Sequence, residues 1–579
     1  MSKNLIIVES PAKANTIAQY LGDDFEVIAS IGHVRDLPSN KTAVDPEKNF
    51  TMTYEVSKEK EKQVKAIVGA AKKADNLYLA TDPDREGEAI SWHLTEILRE
   101  RNALNDKPVH RVVFYEVTKD AVRDAIRNPK EISWDLVNAY QVRRALDHLF
   151  GFNLSELLWT KVVGGKSAGR VQSPALRLIV ERESEIEAFN PREHWSIEAD
   201  ISKGKQPFLS RLVLYKGEKV QQFSFENESA AKIVETTIFG STLSSRPDAV
   251  AEPEIGSFAY GKLIAINIEK KQRRSKPAAP FTTSTLQQEA SRKLGFYAQR
   301  TMRVAQSLYQ GIELPGEGTV GLITYMRTDS VSLADVAVEE MRNVIKERFG
   351  AKNVPAIPPE YKTKSKNAQE AHEAIRPTSA ARTPDSLKGK LDEPQLKLYT
   401  LIWQRTMASQ MVPAIFDTVM LELSPGNSHT DAITEHRFRA NGSVLIEPGY
   451  KAVYQEGVDD SKDDDTDRLL PEISVGDVIS LDRLRLEQHF TDPPPRFSEA
   501  TLVKALEEYG IGRPSTYANI IEKLKERQYV EMDSRRFFPT NSGRIVTGFL
   551  SKHFSQYIDY DFTARMEDDL DAVSLGEQE

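Results

Sequence analysis

The feature that most constrains this chain is a β-patterned region interrupted by a long helical one. Residues 194–268 and 412–457 alternate apolar and polar positions, as in Phe208-Leu-Ser-Arg-Leu-Val-Leu and Thr418-Val-Met-Leu-Glu-Leu. Residues 280–404, between them, are mostly helical in pattern. A β region split in this way predicts a nested arrangement, with the helical stretch inserted into the β-rich one. Residues 1–130 read differently. Leu5–Val8 and Leu77–Ala80 are short apolar runs expected as buried strands, and Ala89–Leu98 has helical spacing. Strand and helix in alternation predict an α/β domain with parallel strands. Residues 135–189 are helical in pattern. Residues 498–531 form two helical patterns joined by Tyr509-Gly-Ile-Gly-Arg-Pro-Ser, with Arg535 and Arg536 following, which predicts a helix-turn-helix with a basic wing. The 579 residues accommodate about four domains at roughly 150 residues each.

Several chemistries are excluded. The chain has no cysteine, so no disulfide, cysteine zinc site, iron–sulfur cluster or cysteine nucleophile can form. The N-terminal apolar run ends at Glu9, too short for a signal-peptide core, and no apolar stretch of membrane-spanning length follows. A soluble cytoplasmic protein with no membrane partner is expected. The net charge of −9 argues at first against a nucleic-acid partner. It is concentrated, however. Residues 459–467 (DDSKDDDTD) carry −5 and residues 556–579 carry −7, leaving +3 for the rest. The first segment reads as a solvated loop. Residues 136–182 hold seven basic residues against three acids, and 270–276 (KKQRRSK) holds five basic residues and no acid, although such a run is most often just a solvated face.

The first candidate site follows the strand at 77–80, in Thr81-Asp82-Pro83-Asp84-Arg85-Glu86-Gly87-Glu88. Asp82, Asp84 and Glu86 are spaced two apart and would share one side of an extended segment. Hard carboxylate oxygens so clustered suit Mg²⁺. A solvated acidic loop at a helix N-terminus fits the spacing equally well. Glu9 lies at the end of another expected strand, with Lys13 four residues on, and parallel sheets build sites at strand C-termini, which favours a shared site. Gly164-Gly165-Lys166-Ser167 is not a P-loop, because Thr160 stands where the motif needs its first glycine. ATP binding is not supported. That segment is expected instead to offer backbone amides and two cations to a phosphate chain. In Gly321-Leu-Ile-Thr-Tyr-Met-Arg-Thr-Asp-Ser330, Tyr325 and Arg327 face one way if extended. Tyrosine can be a covalent nucleophile and arginine can neutralise a phosphoryl centre, though a lone tyrosine usually just packs. His372 and Arg376 form a possible phosphate-contacting pair.

Taken together, these segments resemble the bacterial topoisomerase I branch of the type IA DNA topoisomerases. The resemblance rests on Ile7-Val-Glu-Ser-Pro-Ala-Lys13, the Asp-Pro-Asp-Arg-Glu-Gly-Glu run, Ser167-Ala-Gly-Arg-Val-Gln-Ser173, Thr283–Phe296, Ile323–Ser330, Ala371–Pro377 and Gly510–Tyr517, in the family's order. It implies a multi-domain α/β plus α+β fold forming a torus. An N-terminal topoisomerase–primase (Toprim) domain would span 1–130. A helical single-strand DNA-binding domain would span 131–193 and 482–579, a β-rich hinge or arch 194–270 and 405–481, and a helical domain carrying the tyrosine 271–404. It implies that Tyr325 forms a 5′-phosphotyrosine, with Glu9 as general acid/base and Lys13 and Arg327 stabilising phosphoryl charge. Asp82, Asp84 and Glu86, with Glu9, would hold Mg²⁺. His372 and Arg376 would position nucleotide phosphates. Arg143, Arg144, Asp147, Arg170 and Gln172, with Arg513 and Thr516, would bind DNA. His148 stands where many members carry arginine, which bears on base preference.

The implied activity is ATP-independent relaxation of negatively supercoiled DNA by a monomer acting on a single-stranded segment, in the cytoplasm with the nucleoid. Many relatives continue into cysteine-rich zinc-ribbon repeats. This sequence ends at Gly576-Glu-Gln-Glu579 after a helix expected over 562–575, so a core fragment lacking that region is expected, active in cleavage and religation but weak in full relaxation. Two other classes share some of the features. A Toprim-type nuclease or primase would not need Tyr325, and a non-catalytic single-strand DNA-binding module would not cleave at all.

Overall fold

The computed structural model describes residues 4–578 apart from 106, 163, 240–260, 364–372, 431 and 460–468. Most of the acidic run at 459–467, and His372, lie outside the described residues. Among the described residues, no helix is long and apolar enough to cross a membrane.

The N-terminal part is a four-stranded parallel sheet in the order Phe25–Ala29, Asn4–Val8, Asn76–Leu79, Val109–Arg111. The run Leu5-Ile-Ile-Val8 is apolar at every position because both faces of its strand are covered. Leu5 and Ile7 enter a core with helices Glu61–Lys73 and Arg85–Glu100. Ile6 and Val8 point the other way, into a core that also contains Phe281, Leu322, Ile323, Tyr325 and Met326. The tyrosine segment is thus packed against the sheet's second face. Helix Pro11–Leu21 starts cleanly: Ser10 caps it by accepting from the Lys13 N–H at 3.2 Å, and Pro11 occupies the first turn, where its missing N–H costs nothing.

The split β region forms one antiparallel sheet. Its order is Arg437–Glu447, Ala414–Pro425, Gly261–Ser275, Val478–Phe490, Glu193–Lys203, Gln206–Tyr215, Glu218–Lys219. Arg437–Glu447 also pairs with Gln206–Tyr215, so the sheet closes on itself and leaves few open edges. Two details differ from expectation. The stretch 194–268 includes a helix, Glu228–Phe239, whose Val234 and Ile238 fill the barrel core. Strand Val478–Phe490 lies beyond the stretches read as β: Ile479 and Leu481 enter the barrel core and Leu484 and Leu486 pack partly against it, but exposed charged residues between them break the alternation. The basic run at 270–276 is the exposed end of strand Gly261–Ser275.

The chain between the β segments is helical, with helices Thr283–Glu289, Ala298–Gln310, Asp335–Phe349 and Glu393–Ser409. Helices Trp134–Lys161 and Gln172–Ala188 share a core with helices Glu499–Glu508 and Tyr517–Glu526, through Leu158, Leu176 and Ile179 against Leu502, Leu506 and Ile520. A two-stranded hairpin, Val530–Asp533 with Arg536–Pro539, follows the second of these helices, and helix Tyr560–Ser574 closes the described chain.

Candidate active site

The acidic loop departs from an extended segment at Asp84. Asp84 caps helix Arg85–Glu100, accepting from the Gly87 N–H at 2.8 Å, and Glu86 lies in the first helical turn. The three acids therefore do not line one side of a strand. The turn is so tight that a Cβ on Gly87 would lie 2.1 Å from the Asp82 carbonyl oxygen. Arg111, at the end of the fourth strand, fixes the loop from below. Its Nη1 donates to the Thr81 carbonyl at 2.9 Å and its Nη2 to the Asp82 carbonyl at 2.8 Å, while Nε donates to Glu88 at 2.8 Å. Glu88 in turn accepts from the Ser133 N–H at 2.7 Å. Arg111 and Glu88 are both buried.

The four candidate acids fall into two pairs. Glu9 and Asp82 flank the Lys13 ammonium, which is 3.1 Å from Glu9 and 2.9 Å from Asp82. Lys13 is completely buried, yet the two carboxylates outweigh the cost of burial and raise its pKa. Burial first, and then the Asp82 charge, push the Glu9 carboxyl up to about 8, against the opposing pull of Lys13. Asp82 goes the other way: burial opposes its charge, but Lys13 and hydrogen bonds lower its pKa. One acid of this pair is therefore held protonated near neutral pH and the other ionised.

Asp84 and Glu86 form the second pair, around Arg327. Arg327 Nη1 is 3.3 Å from Asp84 and 2.7 Å from Glu86. The Tyr325 hydroxyl donates to Asp84 at 2.6 Å, so Tyr325 and Arg327 do face one way. Burial and the Asp84 charge raise the Tyr325 pKa well above its ordinary value, so the hydroxyl keeps its proton. A hydrogen bond from His33, and then the Arg327 charge, hold Glu86 down at about 2. His33 Nε2 is 3.4 Å from Glu86, and its ring stacks on Tyr140.

No group of three or more metal-ligating side chains gathers among the described residues. Two carboxylates nonetheless converge on one cationic nitrogen, that of Arg327. Mg²⁺ needs no more protein ligands than that when phosphate oxygens and water complete its shell, so the residues fit the ion.

The tyrosine segment is bonded by its own backbone to the loop between strand Val109–Arg111 and helix Lys119–Arg127. Tyr325 N–H donates to the Tyr115 carbonyl at 2.8 Å and Gly321 N–H to Val117 at 3.1 Å. Side chains clasp the same seam: Tyr20 donates to the Thr319 carbonyl at 2.9 Å and Thr16 to Gln310 at 2.8 Å.

The other candidates are placed as follows. Arg376 is buried and ion-paired to Glu373 and, at 3.1 Å, to Glu116. Arg144 makes a bidentate pair with Asp36, and His148 Nε2 is 2.8 Å from the Asn40 carbonyl. Arg170 Nε donates to Asp147 at 3.0 Å. Gln172 starts helix Gln172–Ala188, and its buried Nε2 has no partner. Thr516 caps the turn before helix Tyr517–Glu526, accepting from the Arg513 N–H at 2.9 Å. A cavity of about 290 Å³ joins Arg327 and Glu86 to Arg143, Arg513 and Thr516. The amides after Gly165 do not serve as expected. Lys166 and Ser167 N–H both donate to the Tyr529 hydroxyl at 2.8 Å, so they are not open to a phosphate. Sequence reasoning missed Arg111 and His33. Both lie at or just beyond the C-terminal ends of parallel strands, the signal that did single out Glu9.

Comparison with known proteins gives the class first. A family described as the Toprim domain matches residues 4–117, and one described as DNA topoisomerase matches residues 131–579. DNA topoisomerase 1 of Xylella fastidiosa (strain Temecula1) is 55% identical over 581 residues, covering 100% of this chain and 68% of that protein. DNA topoisomerase 1 of Rickettsia felis is 49% identical, covering 99% of this chain and 71% of that one. The solved structure of full-length topoisomerase I from Thermotoga maritima superposes with a TM-score of 0.81 at 36% identity, over 99% of this chain and 87% of that chain. The chain belongs to the bacterial DNA topoisomerase I family, of type IA. It is a Toprim-bearing DNA topoisomerase, an isomerase that acts on bacterial DNA.

Proposed function

We propose that Tyr325 cleaves one DNA strand by attack on a backbone phosphorus. The observation that carries this reading is the Tyr325 hydroxyl, held 2.6 Å from Asp84 inside the Toprim acidic site. As the tyrosine oxygen bonds to phosphorus, its proton leaves to solvent along the hydrogen bond it donates to Asp84, which stays ionised. The bond from phosphorus to the 3′ oxygen breaks, and that oxygen takes a proton from Glu9, whose raised pKa keeps it protonated near neutral pH. The products are a 5′-phosphotyrosine and a free 3′ hydroxyl, and the reverse transfer rejoins the strand. Lys13 and Arg327 offset the charge that builds on the phosphoryl oxygens. Asp84 and Glu86 would hold Mg²⁺, with Asp82 and Glu9 beside them; the ion supplies charge neutralisation and anchors the phosphate.

One phosphoester replaces another, so no ATP is consumed. The strand must enter unpaired, which makes negatively supercoiled DNA, underwound and locally open, the preferred substrate. Arg143, Arg144, Arg170, Gln172, Arg376, Arg513 and Thr516 would track its phosphates, with Asp147 holding Arg170 in place. The domain division set out from the sequence, the torus it implies, a monomeric state and a place in the cytoplasm belong to the same reading. The test is incubation with a labelled single-stranded oligonucleotide and Mg²⁺, followed by denaturation. A covalent protein–DNA adduct that disappears in Tyr325→Phe supports the reading. Free nicked product from that variant would replace it with a Toprim nuclease, and binding without cleavage would leave a binding module.

A further inference from the structure

The acidic C-terminal stretch, which stood out only as a charge imbalance, faces the site with two of its acids. Glu567 and Asp571 are four residues apart on helix Tyr560–Ser574 and so share a face. The fully buried Glu567 carboxylate bridges two arginines. Arg143 Nη2 donates to one oxygen at 2.9 Å, and Arg170 Nη1 donates to the other. Asp571 accepts from Arg513 Nε at 2.7 Å and from Arg85. Burial works against the Glu567 charge, but Arg143, Arg170 and Arg513 overcome it and hold the carboxyl at about 2.

The four arginines come from four separate stretches: the acidic loop, helix Trp134–Lys161, the loop after Gly165 and the turn of the helix-turn-helix. Nothing local fixes their relative spread. Arg85, Arg143 and Arg513 line one cavity, Arg170 meets Arg143 across Glu567, and such like charges repel: after burial, the Arg143 charge lowers the Arg85 pKa. Two carboxylates on one helix offset part of that repulsion and tie the four side chains to a single element. They leave donors unused, since Arg143 Nε is buried with no partner.

We propose that Glu567 and Asp571 are positioning residues for the bound strand, presetting Arg85, Arg143, Arg170 and Arg513 to meet its phosphates. This rests on the reading that Arg143, Arg170 and Arg513 contact DNA; Arg85 joins them through Asp571. It assigns the acids a helping role, the opposite of what simple charge would suggest. If they merely competed with phosphate, removing them would tighten binding. If they preorganise the arginines, removing them loosens it.

The test is fluorescence anisotropy of a labelled single-stranded oligonucleotide titrated with the full chain carrying Tyr325→Phe, which isolates binding. Glu567→Gln and Asp571→Asn are each expected to weaken binding about tenfold. Asp569→Asn, which removes the same charge from an exposed position on the same helix, is expected to stay within about twofold of the parent. With Tyr325 intact, the acid variants should raise the DNA concentration for half-maximal adduct and leave the adduct level at saturation unchanged. Equal or tighter binding by both acid variants overturns the proposal. If Glu567→Gln does not fold, the shallower Asp571→Asn decides. Arg143→Ala with Arg170→Ala separates the two layers. If that double variant binds normally, the contact reading itself fails; if it binds weakly while the acid variants bind normally, only the positioning role fails.

Discussion

Replacing Gly87 with alanine should disable strand cleavage without unfolding the protein. The new Cβ would stand 2.1 Å from the Asp82 carbonyl oxygen and 2.8 Å from its nitrogen and carbonyl carbon, where ordinary contact begins near 3.4 Å. All three are backbone atoms, so no side chain can swing aside. The loop must retreat by about 1.3 Å at the carbonyl. Arg111 grips that same carbonyl, so the retreat also loosens the guanidinium that fixes Thr81 and Asp82. Asp82 carries Lys13, and the loop carries Asp84, the partner of Tyr325. A misplacement of about 1 Å in a catalytic group costs roughly 100-fold in rate. Adduct formation by Gly87→Ala at saturating oligonucleotide should therefore fall about 100-fold. Binding measured in the Tyr325→Phe background should hold, because the groove arginines are anchored mainly on other elements. A Gly87→Ala chain that cleaves at the parent rate would refute the claim that this turn sets the site's geometry.

Glu9 predicts two pH effects. Its folded pKa of about 8 exceeds the ordinary 4.5, so the stability it contributes is complete below about 4.5 and is lost as pH rises through 8. Glu9→Gln should flatten that part of the melting-temperature profile, and the parent's cleavage rate should fall above pH 8 as the proton donor is lost. A rate that climbs through this range would contradict the assignment. Arg111→Met should destabilise the chain by about 3–5 kcal/mol, because it leaves buried Glu88 unpaired. Adding Glu88→Gln should recover much of that loss in urea or thermal melts, and an unchanged double variant would show that the pair is not the cause.

Local pattern made much of this molecule legible. A strand buried on both faces shows as an uninterrupted apolar run, which is why Leu5–Val8 could be read at once. Tyr325 and Arg327 could be placed on one side because two-residue spacing constrains direction over so short a distance. The acidic loop was located correctly and bent wrongly, since the sequence does not reveal that Asp84 would spend its side chain on a helix cap. Pairings across the chain were invisible. Arg143 and Glu567 are 424 positions apart, and no periodicity links them. The amides at Lys166 and Ser167 looked available for the same reason: their partner, Tyr529, is more than 360 positions away.

The seam that joins the tyrosine segment to the loop after strand Val109–Arg111 has a mechanical consequence. If the 5′ end of a cut strand is bonded to Tyr325, as proposed, tension on that strand would pull at the very residue whose peptide N–H makes the first bond of the seam. The pull would then reach the contacts one after another, Tyr325 to Tyr115, then Gly321 to Val117, then the clasp at Thr319 and Gln310. Bonds peeled in series yield to far less force than the same bonds sheared together. The proposed covalent link would thus double as the handle by which the DNA's own torsional strain parts the joint.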